Sequence, residues 1–89
     1  MQEKEKTMDK KLQEQGMVTR QRIYDFLVEY ITKNGYSPTI REIADGTGLK
    51  AKSWVHHHLS VLEDMGKIHT QNGKPRTISL VGYKFVKVD

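Results

Sequence analysis

The chain has 89 residues, of which 36% are hydrophobic and none is cysteine, and its formal net charge is +4 at pH 7. A single domain of this size carries a binding surface more easily than a deep catalytic cleft. Disulfides and thiolate metal sites are excluded, the apolar runs are too short for a transmembrane helix, and residues 1–6 hold no apolar stretch for a signal peptide. We therefore expect a cytoplasmic protein without a membrane partner.

The first 17 residues are polar and contain four lysines and four acidic residues, so their charges cancel. The whole net charge of +4 therefore falls on residues 18–89, where it favours polyanion binding only if it is focused on one face. We interpret residues 1–17 as a flexible or partly helical extension, with a short interaction arm as the alternative.

A first helix is predicted over residues 20–34. Apolar side chains recur there at helical spacing and form one stripe: Ile23, Phe26, Leu27, Tyr30 and Ile31. Thr19 is suited to cap this helix, and Val18 to pack on Ile23 as a hydrophobic staple. Gly35 is a natural C-terminal stop.

Two shorter helices follow. Thr39-Ile40-Arg41-Glu42 has the pattern of a capping box, and the second helix is expected to end near Asp45-Gly46. A glycine-containing break at residues 47–49 separates it from a third helix over residues 52–65, which Gly66 ends.

The C-terminal part has a β pattern. Strands are predicted at residues 67–70 and 76–80, around a loop whose Asn-Gly step is a strong hairpin signal. Residues 81–88 continue in an extended pattern with Tyr83 and Phe85 on one side, which suits either a third strand or an edge that pairs with a second protomer. The predicted fold is mainly α with a small β wing (α+β): a three-helix winged helix-turn-helix over residues 18–80, followed by an extended strand over 81–89.

The third helix has the properties of a DNA-reading helix. At about 100° per residue, Val55, Leu59 and Leu62 share one direction, close to Ala51 and His58, and should pack on the other helices. The opposite side carries polar and aromatic side chains: Ser53, Trp54, His56, His57 and Ser60. Residues 46–62 include no acidic residue, and Lys50 and Lys52 stand at the helix entry, as expected for a surface that meets phosphates. Such a helix fits the major groove and presents its first turns to base edges.

Further cations are expected near the DNA backbone. Lys74 and Arg76 lie at the predicted hairpin tip, from which a wing reaches phosphates or the adjacent minor groove. Cations at a hairpin tip are explained on their own by solubility, and the three helices upstream favour the functional interpretation. Thr39 and Arg41, at the start of the second helix, are predicted to meet phosphates as well.

Two features have competing explanations. Consecutive histidines on a helix point about 100° apart, and neither His56 nor His57 has a ligand partner four residues on, so we predict no metal site. Trp54 suits both partial burial, in a face that continues to Met65, and apolar contact with a thymine methyl or a sugar.

Five short motifs lie in one register without gaps within residues 18–80: Pro38-Thr39-Ile40-Arg41-Glu42-Ile43-Ala44, Gly48-Leu49, Val55-His56-His57-His58-Leu59, Leu62-Glu63-Asp64-Met65-Gly66-Lys67-Ile68 and Lys74-Pro75-Arg76-Thr77-Ile78. Together they resemble the N-terminal DNA-binding domain of LexA-type SOS repressors. The resemblance implies a winged helix-turn-helix that binds an operator. It implies backbone contacts by Lys50, Lys52 and the wing, and base-reading positions at Ala51, Ser53, Trp54, His56 and His57.

The sequence departs from the family's pattern in three ways. It ends at Asp89 without the self-cleaving domain and its Ser/Lys dyad, so we expect neither autoproteolysis nor the family's main dimerisation surface. Ala51 replaces the family's helix-capping serine. Trp54 and the three histidines of residues 56–58 are bulkier than the usual occupants, which argues against the family's usual operator preference.

We predict that the chain binds double-stranded DNA sequence-specifically as a transcriptional regulator, a repressor of prokaryotic or mobile-element type. The alternative is a winged-helix module whose third helix docks a protein. An enzyme, a cofactor and a small-molecule ligand are not expected, because no paired carboxylates, nucleophile–base pair or phosphate-binding glycine loop is recognised. A homodimer on DNA is favoured because a module this small reads a short site weakly, with the C-terminal strand or the N-terminal segment as its contact.

Overall fold

The computed structural model describes the backbone of residues 2–71 and 74–82, and the side chains from residue 16 onward within those ranges. There it contains three helices, α1 (Gln2–Asn34), α2 (Ile40–Thr47) and α3 (Lys52–Asp64), and two strands, β1 (Ile68–His69) and β2 (Ser79–Leu80). The strands form one antiparallel sheet. The predicted α+β winged helix-turn-helix fold is confirmed.

The helix α1 begins much earlier than predicted. It is 33 residues long and continues from Gln2 through Thr19, so the predicted start at residue 20 with Thr19 as its cap is wrong. The predicted staple is also wrong, since the Val18 side chain is 59% exposed. Residues 2–17 are rich in glutamine, glutamate and lysine, which favour helix, and no proline interrupts them. A threonine within such a sequence therefore does not start a new helix.

The apolar stripe of α1 is confirmed. Ile23, Leu27 and Ile31 are buried in the core, and Phe26 and Tyr30 are half-buried beside them. The helix ends as predicted, with Gly35 at a φ of 79° and its N–H donating to the carbonyl oxygen of Ile31 over 2.8 Å.

The helix α2 starts with the predicted capping box. The N–H of Glu42 donates to Oγ1 of Thr39 over 3.2 Å, and the N–H of Thr39 donates to Oε1 of Glu42 over 2.8 Å. The helix ends at Thr47, slightly beyond the predicted end, because Gly48 adopts the left-handed conformation that closes it. A short turn then connects α2 to α3 and completes the helix-turn-helix.

The wing is shorter than predicted. Its strands have two residues each, with Ile68 opposite Leu80 and His69 opposite Ser79. Beyond the sheet, Oγ1 of Thr77 accepts from the N–H of Gln71 over 3.1 Å and donates to its carbonyl oxygen over 3.2 Å. Side-chain bonding thus replaces ladder pairing where a longer strand was predicted. The Asn-Gly step, Tyr83 and Phe85 lie outside the described residues.

One hydrophobic core is shared by the helices and the wing. The three helices pack on one another, and β1 packs on α3. The buried hydrophobic side chains come from every described element: Ile23, Leu27, Ile31, Ile43, Ala44, Val55, Leu59, Leu62, Ile68, Ile78 and Leu80. The wing is therefore fixed beside α3 through its own apolar side chains.

Candidate nucleic-acid interface

The helix α3 divides into a buried and an exposed face, as predicted. Val55, His58, Leu59 and Leu62 are buried. The exposed side chains are those predicted for the DNA side: Ser53, Trp54, His56, His57 and Ser60. The helix runs from Lys52 to Asp64, with Met65 as its cap rather than its last residue.

The structure bears on one of the two interpretations of Trp54, its burial. Its side chain is 59% exposed, and its ring stacks on that of buried His58 at a centroid distance of 6.3 Å. Met65 is 55% exposed, which argues against the alternative of a buried face that continues from Trp54 to Met65. Most of the indole is therefore free to contact another molecule.

The N-terminus of α3 is electropositive. Ala51 precedes it in an extended conformation and provides no side-chain cap, and the first turn contains no acidic residue. The unpaired N–H groups of a first helical turn carry partial positive charge. Lys50 and Lys52, both exposed, add full charges beside them. This end of the helix is suited to an anion.

A cleft of about 570 Å³ is lined by α2, α3 and the wing. It brings together six of the predicted site residues: Thr39, Arg41, Lys52, His56, Lys74 and Arg76. The other five lie outside its lining, at the N-terminal end and on the outer face of α3: Lys50, Ala51, Ser53, Trp54 and His57. The predicted residues thus form one surface with two parts. The concave part is the cleft, with cations from α2, α3 and the wing, and the convex part is the adjoining exposed face of α3.

One acidic residue in the cleft lining is bound within the protein. The Glu63 carboxylate accepts hydrogen bonds from the N–H of Thr70 over 3.1 Å and from its Oγ1 over 3.4 Å. These bonds hold the end of β1 beside α3. A second depression, of about 430 Å³ on the side of α1, contains the acidic Asp25 and Glu29, which disfavours a polyanion there.

The two cations of the wing differ in their surroundings. Lys74 is exposed and forms no salt bridge with any described residue. Nη1 of Arg76 donates to the carbonyl oxygen of Ser37 over 3.0 Å and lies 3.0 Å from Oε1 of Glu42. Its guanidinium also lies 5.0 Å from the centroid of the Tyr36 ring. Much of Arg76's hydrogen-bonding capacity is therefore used within the protein.

The partner of Arg76 is a strongly stabilised carboxylate. The pKa of Glu42 is lowered to about 2, first by the hydrogen bond from the Thr39 N–H, and then by those from the Tyr30 hydroxyl and the Arg76 guanidinium. Sequence reasoning assigned Glu42 only to the capping box. It missed Tyr30 and Ser37 as partners of the wing, because they lie 46 and 39 residues from Arg76 and no local pattern signals such a contact.

The buried face of α3 contains one histidine. His58 is 3% exposed, and its pKa is lowered by burial and by the positive charges of Arg20 and His57. Nδ1 of His58 and Nε of Arg20 are buried without a hydrogen-bond partner among the described residues. This position therefore favours a neutral imidazole.

In the part of the chain that the structure describes, no group of three or more histidine, cysteine or acidic side chains is placed to hold a metal ion. No helix in that part is long and apolar enough to cross a membrane.

Comparison with known proteins assigns the chain to a family. The family model of the LexA DNA-binding domain matches residues 10–77. The LexA repressor of Carboxydothermus hydrogenoformans is 48% identical over 63 residues, which cover 71% of this chain and 31% of the repressor. That of Clostridium novyi is 49% identical over 59 residues, covering 66% and 29%, and that of Acetivibrio thermocellus is 43% identical over 65 residues, covering 73% and 30%. The matched part of the chain spans about a third of the length of these relatives.

Proposed function

This chain belongs to the LexA DNA-binding domain family, and on that premise we propose that it is a transcriptional repressor that binds double-stranded DNA at a specific sequence. The observation that carries the proposal is the exposed face of α3, which lies in a segment without acidic residues, 46–62, and adjoins a cleft with exposed cations. A surface of this kind complements the phosphates on either side of a DNA groove.

We assign base reading to the exposed face of α3 in the major groove. Ser53, His56 and His57 provide hydrogen-bond donors and acceptors for base edges. The exposed indole of Trp54 provides an apolar surface for a thymine methyl. Ala51, at the entry of the helix, is small enough to allow close approach of the backbone to the DNA.

We assign the phosphate contacts to residues that flank this face. Lys50 and Lys52 lie at the start of α3, Thr39 and Arg41 at the start of α2, and Lys74 on the wing. Arg76 was predicted for the same role. Its bonds to Ser37 and Glu42 support a positioning role instead.

We propose that residues 18–80 form the DNA-binding unit, with residues 1–17 and 81–89 as extensions. We also propose that two copies bind two half-sites, since one module of this size contacts only a few base pairs. The N-terminal segment and the C-terminal residues are the two candidate contacts between the copies.

The test is a titration of fluorescent duplex DNA, followed by anisotropy at several salt concentrations. The four cations assigned above, Arg41, Lys50, Lys52 and Lys74, predict a slope of log Kd against log salt of about 3 to 4 per protomer, because each neutralised phosphate contributes about 0.9. Absent or salt-insensitive binding would contradict the proposal and favour a protein-docking module.

Two variants separate backbone contacts from base reading. Lys74→Ala should weaken binding to all duplexes alike and reduce the salt slope by about 1. His57→Ala should change the order of preference among duplexes and leave that slope near its wild-type value. Unchanged selectivity in His57→Ala would show that His57 does not face the bases.

A further inference from the structure

The Arg76 guanidinium joins the wing to the rest of the DNA-binding unit. Nη1 donates to the carbonyl oxygen of Ser37 over 3.0 Å and to the Tyr30 hydroxyl over 3.4 Å. Nη2 donates to Oε2 of Glu42 over 3.3 Å, and Nη1 lies 3.0 Å from Oε1 of the same carboxylate. One side chain of the wing thus contacts α1, the loop before α2 and the first turn of α2.

The same loop holds the wing at a second point. Oγ of the buried Ser37 accepts the backbone N–H of Ile78 over 3.2 Å and donates to the carbonyl oxygen of Pro38 over 3.0 Å. Ile78 is itself in the hydrophobic core. The carbonyl and the hydroxyl of Ser37 therefore both bind the segment just before β2, the first through Arg76 and the second through Ile78.

The backbone at Arg76 also indicates a fixed position. Its φ is 57°, in the left-handed region that side-chain-bearing residues other than asparagine and aspartate rarely adopt. Such a conformation persists where surrounding contacts fix it. The contacts with Glu42, Ser37 and Tyr30 hold the Arg76 side chain in this position.

We propose that Tyr30, Ser37, Glu42 and Arg76 form a wing latch, in which Arg76 is a positioning residue that sets the wing, and with it Lys74, at the height of the DNA backbone. This proposal rests on the proposed DNA-binding function. It assigns Arg76 a role different from a phosphate contact, because hydrogen bonds within the protein already engage both Nη1 and Nη2 of its guanidinium.

The capping carboxylate therefore has two tasks. Glu42 satisfies the N–H of Thr39 and at the same time holds the Arg76 guanidinium. Because its pKa is about 2, it is charged at every pH at which DNA binding is measured. The wing is in this way tied to the capping of α2, which is the helix that presents Arg41.

The direction in which Glu42→Gln changes the Kd for DNA distinguishes the latch from a simple electrostatic effect. Glu42→Gln keeps an oxygen for the capping bond and removes the charge that holds Arg76. Removal of a negative charge near phosphates would by itself strengthen DNA binding. The latch predicts the opposite, a rise in Kd of about tenfold, equivalent to the loss of one charge-assisted hydrogen bond.

Asp45→Asn is the matched control, since Asp45 is an exposed acidic residue on the same helix. It should leave Kd unchanged or lower it. If Glu42→Gln binds as tightly as wild type, or more tightly, the latch is wrong. Thermal melting of both variants verifies that they are folded under the conditions of the binding assay.

Arg76→Lys is a second test that distinguishes the latch from a phosphate contact by Arg76. A phosphate contact tolerates lysine, because the charge is kept, whereas the latch needs a fork that reaches a carboxylate and a carbonyl together. We expect Arg76→Lys to weaken binding nearly as much as Arg76→Ala. Binding close to that of wild type by Arg76→Lys, with a large loss in Arg76→Ala, would restore Arg76 as a phosphate contact and overturn the proposal.

Amide hydrogen exchange in the free protein tests the latch without DNA. The N–H of Ile78 should exchange faster in Glu42→Gln and in Arg76→Lys than in wild type, while the N–H of Leu59 in α3 should be unchanged. Unchanged exchange at Ile78 would overturn the latch. Absence of DNA binding by the wild type would instead overturn the proposed function, so the two failures are distinguishable.

Discussion

At the scale of single residues, His58 shows how burial controls chemistry on α3. Its neighbours His56 and His57 are exposed, whereas His58 is buried, with its ring against those of Trp54 and His57 and within the electrostatic influence of Arg20 on α1. A protonated imidazole there would be poorly hydrated and would face the positive charge of Arg20. The three successive histidines therefore differ in burial, with His58 alone on the buried face of α3.

This burial predicts a pH dependence of stability. Because the pKa of His58 is lowered in the folded protein, the unfolded chain binds the proton more readily, and the free energy of unfolding should decrease as the pH falls below about 6.5. The contribution is present above that pH and is lost as the pH falls through the folded-state pKa. Urea unfolding of wild type and His58→Leu at several pH values between 7 and 5 measures it.

The exposed neighbour is the control for this experiment. His57→Gln should keep the decrease in stability at low pH, and His58→Leu should remove most of it. If the two variants show the same pH dependence, His58 is not the group that titrates.

Single residues also show how far sequence reasoning reaches. The Thr39–Glu42 capping box was predicted because both partners lie within one helical turn, and both hydrogen bonds are present. The ion pair between Glu42 and Arg76 was not predicted, because 34 residues separate them and only the folded chain brings them together. Local chemistry was thus predictable and long-range pairing of charges was not.

At the scale of elements, the start of α3 is the least well capped of the helix ends that meet the proposed DNA surface. Ala51 has the extended backbone of an N-cap residue, with φ −115° and ψ 129°, but no side chain that accepts a hydrogen bond. Ala51→Ser should therefore stabilise the protein by about 1 kcal/mol, through a bond to an unpaired N–H of the first turn. Urea unfolding measures this gain, and a loss of stability would show that the backbone there does not adopt the N-cap geometry.

The contact between α1 and α2 depends on a glycine. A Cβ atom at Gly46 would overlap with the ring of Phe26, which lies half-buried on α1. Gly46→Ala should cost about 1–3 kcal/mol in unfolding free energy, because the ring or the helix has to move.

Gly16→Ala is the matched substitution on α1. A Cβ atom there meets no described side chain within 4 Å, so alanine should raise helix stability by about 0.5–1 kcal/mol. Thermal unfolding of the two variants should therefore shift in opposite directions. Equal destabilisation by both would contradict the close packing of α2 on Phe26 and the continuity of α1 through residue 16.

Elements differed in how well their limits could be predicted. The apolar periodicity of Val55, Leu59 and Leu62 identified α3 and its buried face. The start of α1 was misplaced, because Thr19 is a favourable cap that the helix passes through. The strands of the wing were predicted too long, since Thr77 bonds to Gln71 where ladder pairing was expected.

At the scale of the whole molecule, three helices and a wing present one surface with a concave and a convex part. The cleft brings together predicted site residues that are up to 37 positions apart, from Thr39 to Arg76, and α3 adds its exposed face beside it. Sequence reasoning identified these residues individually through the pattern of α3 and the family resemblance. It did not predict the cleft, because the cleft arises from the packing of the wing against α2 and α3.

The central claim is that this surface recognises a particular DNA sequence, and selection from a random duplex library tests it most directly. The account predicts enrichment of one short motif, repeated as an inverted pair of half-sites about 10 base pairs apart, or a multiple of that spacing, if two copies bind together. Selection by His57→Ala should enrich a different motif. A wild-type selection that enriches no sequence at all would contradict the account.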